Sequence, residues 1–188
     1  MISRILRILE RRIIEPQYRK WLRLKNHNKN FTIISNDCWG GGVYEDLNLP
    51  YLTPTIGLFF YAECYIEFIH NLKYYLSQDL KFQSHSKYEI DHIDYPIGYI
   101  DDIEIHFLHF DSEKHAAEKW NARKLRVNYE NIYFKFSDRN LCTDELAAKF
   151  DKLETDNKVY FCAKKAPAIK SSVWLQSYKK FDFIGKII

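Results

Sequence analysis

The chain has 188 residues, of which 16% are aromatic, with six glycines, five prolines and a net charge of +3. This length and composition fit one ordered domain with a single core and exclude a disordered chain. No apolar run is long enough to span a membrane, and no secretory cleavage pattern follows the N-terminus. The four cysteines (Cys38, Cys64, Cys142 and Cys162) have neither CxxC nor zinc-type spacing, which predicts reduced thiols, no metal site and a cytoplasmic protein.

Basic charge is concentrated at the N-terminus, where residues 1–30 hold nine basic and two acidic residues. Apolar residues recur there at helical spacing, before Pro16 interrupts the pattern: Ile2, Ile5, Leu6, Leu9, Ile13 and Ile14. Such a helix either binds an anionic membrane surface or packs its apolar stripe on the domain. We therefore predict a basic amphipathic arm over residues 1–29 and one domain over residues 30–188. Residues 1–25 are the candidate contact with the inner membrane face.

The rest of the chain alternates between strand and helix patterns. FTIIS (31–35) is typical of a buried strand, and residues 36–42 of the turn that ends it. The further elements, in chain order, are a helix over 61–77, a strand over 103–109, a helix over 111–127 that begins at a capping Asp-Ser, a strand over 131–136, a helix over 143–153 and a strand over 158–163. Residues 173–188 are aromatic and basic and indicate no single element type.

Alternating strands and helices predict an α/β fold with a mainly parallel sheet. Apolar strands such as FTIIS fit burial on both faces of such a sheet. We therefore expect a three-layer α/β/α sandwich of Rossmann-like type. No GxGxxG pattern follows the first strand, so the dinucleotide-binding form of this fold is not expected.

Three polar groups follow predicted strands, and the carboxyl ends of parallel strands meet at one edge of a sheet. Cys38 follows the strand 31–35, His109 closes the strand 103–109, and Asp138 follows the strand 131–136. A thiol, an imidazole and a carboxylate at one edge provide a nucleophile, its base and an orienting acid. A buried apolar cysteine and a structural histidine are the alternative interpretation.

The predicted substrate-binding residues beside the thiol are Asn36, Gly40, Gly41 and Gly42. Glycines there let backbone N–H groups approach an anion or a developing oxyanion, although a tight turn also favours glycine. Glu104 and His106 lie on the other side of the strand 103–109. They are interpreted as a buried polar pair or as contacts to a covering helix, and His106 is a rival base.

Arg123, Lys124 and Arg126 lie at the end of the helix predicted over 111–127. Cations at a helix C-terminus are stabilised by the helix dipole, which explains them structurally. The functional alternative is a clamp in which Arg123 binds a phosphate or a sugar acid. No charged stripe runs along the domain, so nucleic acid is not an expected partner.

Several sequence blocks resemble an uncharacterised bacterial family that carries the label exopolysaccharide or capsule biosynthesis. The blocks are SNDCWGG, LPYLTPTIGLFF, YPIG, DIEIHFLHF, EKWNARKLRVNYENIYF and SDRNLCT. A fainter similarity links the family to papain-like cysteine peptidases and polysaccharide acyltransferase-like proteins with an Asn-Cys near the N-terminus; here Asp37 separates Asn36 from Cys38. The resemblance implies work on sugar chains or lipid-linked glycans at the cytoplasmic membrane face.

Three hypotheses about function follow. The first is a transferase of cell-surface polysaccharide biosynthesis that moves an acyl group from a donor to a glycan, with Cys38 as nucleophile, His109 as base and Asp138 as orienting acid. The second is a non-catalytic protein of the same machinery that binds glycans or nucleotide-sugars. The third is an enzyme that binds a phosphate or a nucleotide-sugar through residues 40–42 and Arg123, without a covalent step.

Overall fold

The computed structural model describes residues 14–88 and 93–185. The helices are α1 (Glu15–Lys25), α2 (Trp39–Leu47), α3 (Ala62–His70), α4 (Leu72–Ser77), α5 (Glu113–Lys124) and α6 (Asp144–Asp151). The strands are β1 (Thr32–Ser35), β2 (Lys81–Gln83), β3 (Ile97–Ile100), β4 (Ile103–His106), β5 (Ile132–Ser137), β6 (Lys158–Cys162) and β7 (Ser172–Trp174). The helical pattern predicted between Ile2 and Ile13 lies outside the described residues.

Four strands form a parallel sheet in the order β1-β5-β6-β7. Three of them confirm the strands predicted over 31–35, 131–136 and 158–163. The fourth, β7, comes from the C-terminal segment that had no predicted element type. Ser35 pairs with Lys135, and Lys135 pairs with Val159, so these three residues lie on one face of the sheet. The fold is therefore a mixed α/β fold built on a parallel sheet.

The strand predicted over 103–109 does not belong to this sheet. Its observed part, β4, pairs antiparallel with β3, and β3 pairs antiparallel with β2 in a separate three-stranded sheet. Asp101 has a left-handed φ of 56°, which closes a two-residue turn and lets Ile100 pair with Ile103. A tight hairpin of this kind forces the two strands to be antiparallel.

The two faces of the parallel sheet are covered differently. Ile34, Phe136 and Tyr160 lie on the face that builds the main core, together with buried residues of α3, α5 and α6. On the opposite face, Ile33 packs against Tyr44 of α2 in a second apolar cluster. Further along this face, Tyr133 is 40% exposed and does not pack in the main core. The region beyond α2 is therefore open to ligands.

Side-chain caps begin two of the predicted helices. Ser112 accepts a hydrogen bond from the backbone N–H of His115 at the start of α5, as its capping position predicts. Thr143 caps α6 in the same way. The helix predicted over 61–77 is divided at Asn71 into α3 and α4.

Helix α1 begins at Glu15, next to the Pro16 that was predicted to interrupt the N-terminal pattern. Pro16 lies in the first turn of α1, where its missing N–H would have no helical partner in any case. No helix within residues 14–88 and 93–185 combines the length and apolar character needed to cross a bilayer.

Candidate functional site

The glycine run begins a helix and does not form the turn predicted over 36–42. After β1, the chain passes through Asp37 and Cys38 and enters α2 at Trp39. A Cβ atom on Gly40 would lie 3.1 Å from Cγ2 of Ile33, so glycine lets α2 pack closely on β1. A Cβ atom on Gly42 would meet nothing within 4 Å. Gly42 therefore leaves space on the exposed side of α2.

That space belongs to a cleft of about 800 Å³ at the carboxyl ends of β1 and β5. Among the residues that line it are Cys38 and Gly42, His109 and Arg139, and Tyr18 of α1. Ligands of open α/β sheets gather at this edge. The cleft is therefore the candidate functional site.

Neighbouring residues of one segment position Cys38 and His109. The Cys38 thiol lies 3.7 Å from the carbonyl oxygen of Leu58 and donates to it. The backbone N–H of His109 donates to the carbonyl oxygen of Gly57 at 3.0 Å. The structure thus places the predicted nucleophile and the predicted base along the same cleft, although His109 follows an antiparallel strand.

Asp138, the predicted orienting acid, is directed elsewhere. One carboxylate oxygen accepts the backbone N–H of Ala163 at 2.6 Å, and the other accepts that of Ile184 at 2.8 Å. Asp138 is not among the residues that line the cleft. Its carboxylate ties the end of β6 and the C-terminal segment to the end of β5.

A buried ion pair under the cleft escaped the sequence analysis. Nζ of Lys135, which is 1% exposed, lies 2.6 Å from Oδ2 of Asp37. Oδ1 of Asp37 accepts the backbone N–H of Trp39 at 3.1 Å. Burial by itself raises the pKa of Asp37, but Lys135 outweighs it and holds that pKa below its usual range. The available signal was a lysine inside the apolar strand IYFKFS.

Asn36 belongs to the same buried network. It is fully buried, its amide donates to Oγ of Ser137 at 3.1 Å, and its carbonyl oxygen accepts from Lys135 at 3.3 Å. Asn36 was predicted to bind substrate, and the structure places it under the cleft. Gly40 and Gly41 are likewise buried in α2.

Arg139 is a cleft residue that the sequence analysis missed. Its side chain is 30% exposed, and its NH1 atom lies 4.0 Å from Oδ2 of Asp37. Asn140 and Leu141 follow with left-handed φ angles of 56° and 63°, which turn the chain sharply after β5. The Asn140 side chain fixes this turn by donating to the carbonyl oxygen of Phe60 at 3.1 Å.

Glu104 and His106 form the buried polar pair that the sequence predicted. Nε2 of His106 lies 2.7 Å from Oε1 of Glu104, and both side chains are fully buried. Burial opposes ionisation of Glu104, but contacts to His106, Ser86 and Tyr99 lower its pKa to about 2. The ring of Phe59 stacks on His106 at 4.5 Å and separates it from the cleft, which Phe59 lines.

Residues 9–188, which contain the whole cleft and both sheets, match a family described as a domain of unknown function, DUF1919. The chain belongs to the DUF1919 family. It is also 34% identical over 166 residues to a Haemophilus influenzae protein described as an uncharacterized protein. That similarity covers 88% of this chain and 78% of the relative.

Arg123 of this DUF1919 chain lies outside the cleft. Its guanidinium donates to the carbonyl oxygen of Ile56 at 3.2 Å and lies over the ring of Tyr51, 5.2 Å from the ring centroid. These contacts give Arg123 a structural role at the end of α5. Within residues 14–88 and 93–185, no three His, Cys, Asp or Glu side chains are grouped so as to hold a metal ion.

Proposed function

We propose that this DUF1919 protein is a transferase of cell-surface polysaccharide biosynthesis that moves an acyl group to a glycan or its lipid-linked precursor through Cys38. The observation that carries the proposal is the placement of Cys38 and His109 along one cleft at the carboxyl end of the parallel sheet. A thiol and an imidazole in one cleft are the minimum set for nucleophilic acyl transfer.

In the first step, the Cys38 thiol proton passes to the His109 imidazole while Sγ bonds to the carbonyl carbon of an acyl thioester. The donor thiolate leaves with the electron pair of the broken C–S bond and takes the proton from His109. In the second step, a glycan hydroxyl attacks the acyl-enzyme and gives its proton to His109. Cys38 leaves as a thiolate and regains that proton.

Two features of the cleft support this chemistry. Cys38 precedes the first turn of α2, whose positive dipole end favours negative charge on the sulfur. Arg139 lines the same cleft and supplies a cation for the oxyanion that develops during attack. Asp138, bound to backbone N–H groups, holds the loops around the site in place.

Mass spectrometry of the intact protein tests the proposal. We expect wild type to gain one acyl group from an acyl thioester, the Cys38→Ala variant to gain none, and His109→Ala to react at least tenfold more slowly. Cys142→Ala is the control and should react like wild type. Adding a surface oligosaccharide should discharge the acyl group. An adduct that persists in Cys38→Ala, or no adduct with any thioester, would refute the proposal.

A second candidate is a non-catalytic component that binds glycans or nucleotide-sugars. It is favoured by aromatic side chains along the cleft, because sugar rings stack on such surfaces: Tyr18, Trp39 and Phe59. Thermal stabilisation of the Cys38→Ala variant by a nucleotide-sugar, together with no acyl adduct on wild type, would favour this candidate.

We further propose that residues 1–25 hold the cleft at the inner membrane face. None of the residues of α1 is buried, and an apolar stripe beside its basic residues is exposed: Ile14, Tyr18, Trp21 and Leu24. Arg19 attaches α1 to α2 by pairing with Asp46 at 2.9 Å, and Tyr18 of the stripe lines the cleft. Exposed aromatic and basic residues together favour anionic lipid surfaces.

Sedimentation with anionic vesicles tests this membrane contact. The double change Trp21→Ala/Leu24→Ala should reduce binding several-fold, and added salt should weaken it because charge attraction is screened. Leu125→Ala removes an apolar residue from the end of α5 that is 83% exposed, more than Trp21 or Leu24, and should bind like wild type. Equal binding by all three proteins would contradict the proposal.

The finer arrangement of the fold is also a proposal. We propose a three-layer α/β/α sandwich of Rossmann-like type, with helices outside both faces of the parallel sheet. Apolar clusters on the two sides of β1 support it, one around Ile33 and one around Ile34.

A further inference from the structure

A second cavity, of about 400 Å³, lies over the sheet face opposite the main core. Apolar side chains from the sheet and from α2 form most of its wall: Phe31, Ile33, Tyr133, Val159, Trp39 and Val43. Two of these sheet residues, Tyr133 and Val159, lie beyond the part of the sheet that α2 covers. We call this cavity the apolar groove.

The groove extends along the strands as well as across β1, β5 and β6. At one end it is lined by Asn28, which precedes β1, and by Asn157, which precedes β6. At the other end it is lined by Trp39, which follows the carboxyl end of β1. A strand advances about 3.3 Å per residue, so the four residues of β1 alone span roughly 13 Å.

The groove adjoins the cleft through shared residues. Trp39 and Val43 of α2 line both cavities. Trp39 follows Cys38 directly in the chain, and its ring packs edge-on against Phe161, with 5.5 Å between ring centroids. A ligand in the groove therefore reaches Trp39, the residue that follows Cys38 and lines both cavities.

Lysine side chains line the groove, Lys135 at its floor and Lys158 at its outer end, and the ammonium group of each already has a partner. Lys135 lines the groove with its apolar stem, while its ammonium group contacts Asp37 at 2.6 Å and Asn36 at 3.3 Å. The inner part of the groove therefore offers mainly apolar surface. Asp156, Asn157 and Lys158 lie at its outer end, where a chain would meet water, and Lys158 donates to the carbonyl oxygen of Leu153 at 2.6 Å.

We propose that the apolar groove binds the hydrocarbon chain of the acyl donor, so that the transferred group is a medium-length fatty acyl group. This inference rests on the acyl transfer proposed above and assigns its substrate class. An unbranched chain matches the apolar wall and the connection to the cleft through Trp39 and Val43, and burial of its apolar surface favours binding.

Fluorescence titration of the Cys38→Ala variant with dansyl-labelled undecanoic acid measures chain binding without covalent reaction. We expect saturable binding that dodecanoate displaces. Val159→Trp, added to the Cys38→Ala variant, fills the groove from β6 and should weaken binding at least tenfold. Val173→Trp places the same ring on the same sheet face, on β7, where Val173 is 43% exposed and outside the groove; binding should stay within twofold.

Three outcomes would overturn the inference: no saturable binding, equal weakening by both tryptophan variants, or displacement by a saccharide but not by dodecanoate. The outcomes also separate this inference from the proposed function. If Cys38 accepts only an acetyl group and the protein binds no fatty acid, the groove does not bind the donor chain, but the proposed acyl transfer still holds. Chain binding with no adduct on wild type would refute acyl transfer, and with it the assignment of the chain to a donor.

Discussion

The ammonium nitrogen of Lys135 lies 2.6 Å from the carboxylate of Asp37, inside the protein, where two adjacent parallel strands end. The two residues are separated by 98 positions in the sequence. Removing one charge from such a pair leaves the other buried without a partner, which is costly. The pair therefore links the stability of the sheet to the shape of the cleft above it.

The first prediction concerns this pair. Lys135→Met should lower the free energy of unfolding by about 3 to 5 kcal/mol, because the buried Asp37 carboxylate loses its nearest cation and keeps only the more distant Arg139, at 4.0 Å. Lys135→Met/Asp37→Asn should cost clearly less than the sum of the two single changes. Urea denaturation measures both. Lys164 and Asp182 lie at the same 2.6 Å distance but are 65% and 88% exposed, so Lys164→Met should cost less than about 1 kcal/mol. If the double change costs as much as the sum of the two single changes, Lys135 and Asp37 do not stabilise each other.

The second prediction concerns thiol reactivity. Limiting iodoacetamide near neutral pH should label Cys38 first, because Cys38 lines the cleft while Cys64 and Cys162 are buried. Burial raises the pKa of Cys142 to about 12, so little of its thiolate forms near neutral pH. His109→Ala should slow the labelling of Cys38. Peptide mapping that finds equal labelling of all four cysteines would count against Cys38 as the nucleophile.

The third prediction compares two glycines of α2. Gly40→Ala should destabilise the protein by about 1 to 3 kcal/mol, because the new methyl group lies 3.1 Å from Ile33. Gly42→Ala should be neutral or stabilise by up to about 1 kcal/mol, since the site is open and alanine favours helix. Gly42→Leu should keep stability and block the cleft. If thermal unfolding shows that Gly40→Ala is more stable than Gly42→Ala, then α2 does not pack closely on β1 at Gly40.

The fourth prediction concerns Glu104 and acid. Its pKa of about 2 lies below that of an unfolded carboxyl, so its contribution to stability is complete above about pH 4.5 and is lost as pH falls toward 2. Glu104→Gln should cost on the order of 3 kcal/mol near neutral pH and flatten the pH dependence in that window. Glu118→Gln, which changes an exposed carboxylate on α5, is the control and should keep the wild-type slope. If the stability of Glu104→Gln and that of wild type change with pH in parallel, Glu104 does not have the lowered pKa assigned to it.

The fifth prediction separates two roles for Asp138. Asp138→Asn replaces one acceptor oxygen with an N–H₂ group that faces a backbone donor, so stability should fall by about 1 to 3 kcal/mol. The rate of acyl-adduct formation, measured well below the melting temperature, should change little. A large loss of rate with unchanged stability would instead show that Asp138 orients His109.

Local pattern explains what could be predicted from the sequence. The strands around Ile33, Phe136 and Tyr160 are short apolar runs, and their burial on a parallel sheet follows from that pattern alone. Caps such as Ser112 mark helix starts because they bind N–H groups only three residues away. Cys38 and His109 were found because each follows an apolar run, although for His109 the predicted sheet was wrong.

The remaining features depend on contacts between distant parts of the chain. A periodic pattern shows that β4 is a strand, but the left-handed turn at Asp101 decides which strand it pairs with. Strand register determines which residues pair with Asp37 and Asp138. A shift of the register by one residue would replace all of these partners. The sequence by itself determined the elements and the candidate thiol and imidazole, because those signals are local. Only the tertiary structure decided the cleft, its buried ion pair and the apolar groove, because they exist only where separate strands and α2 meet.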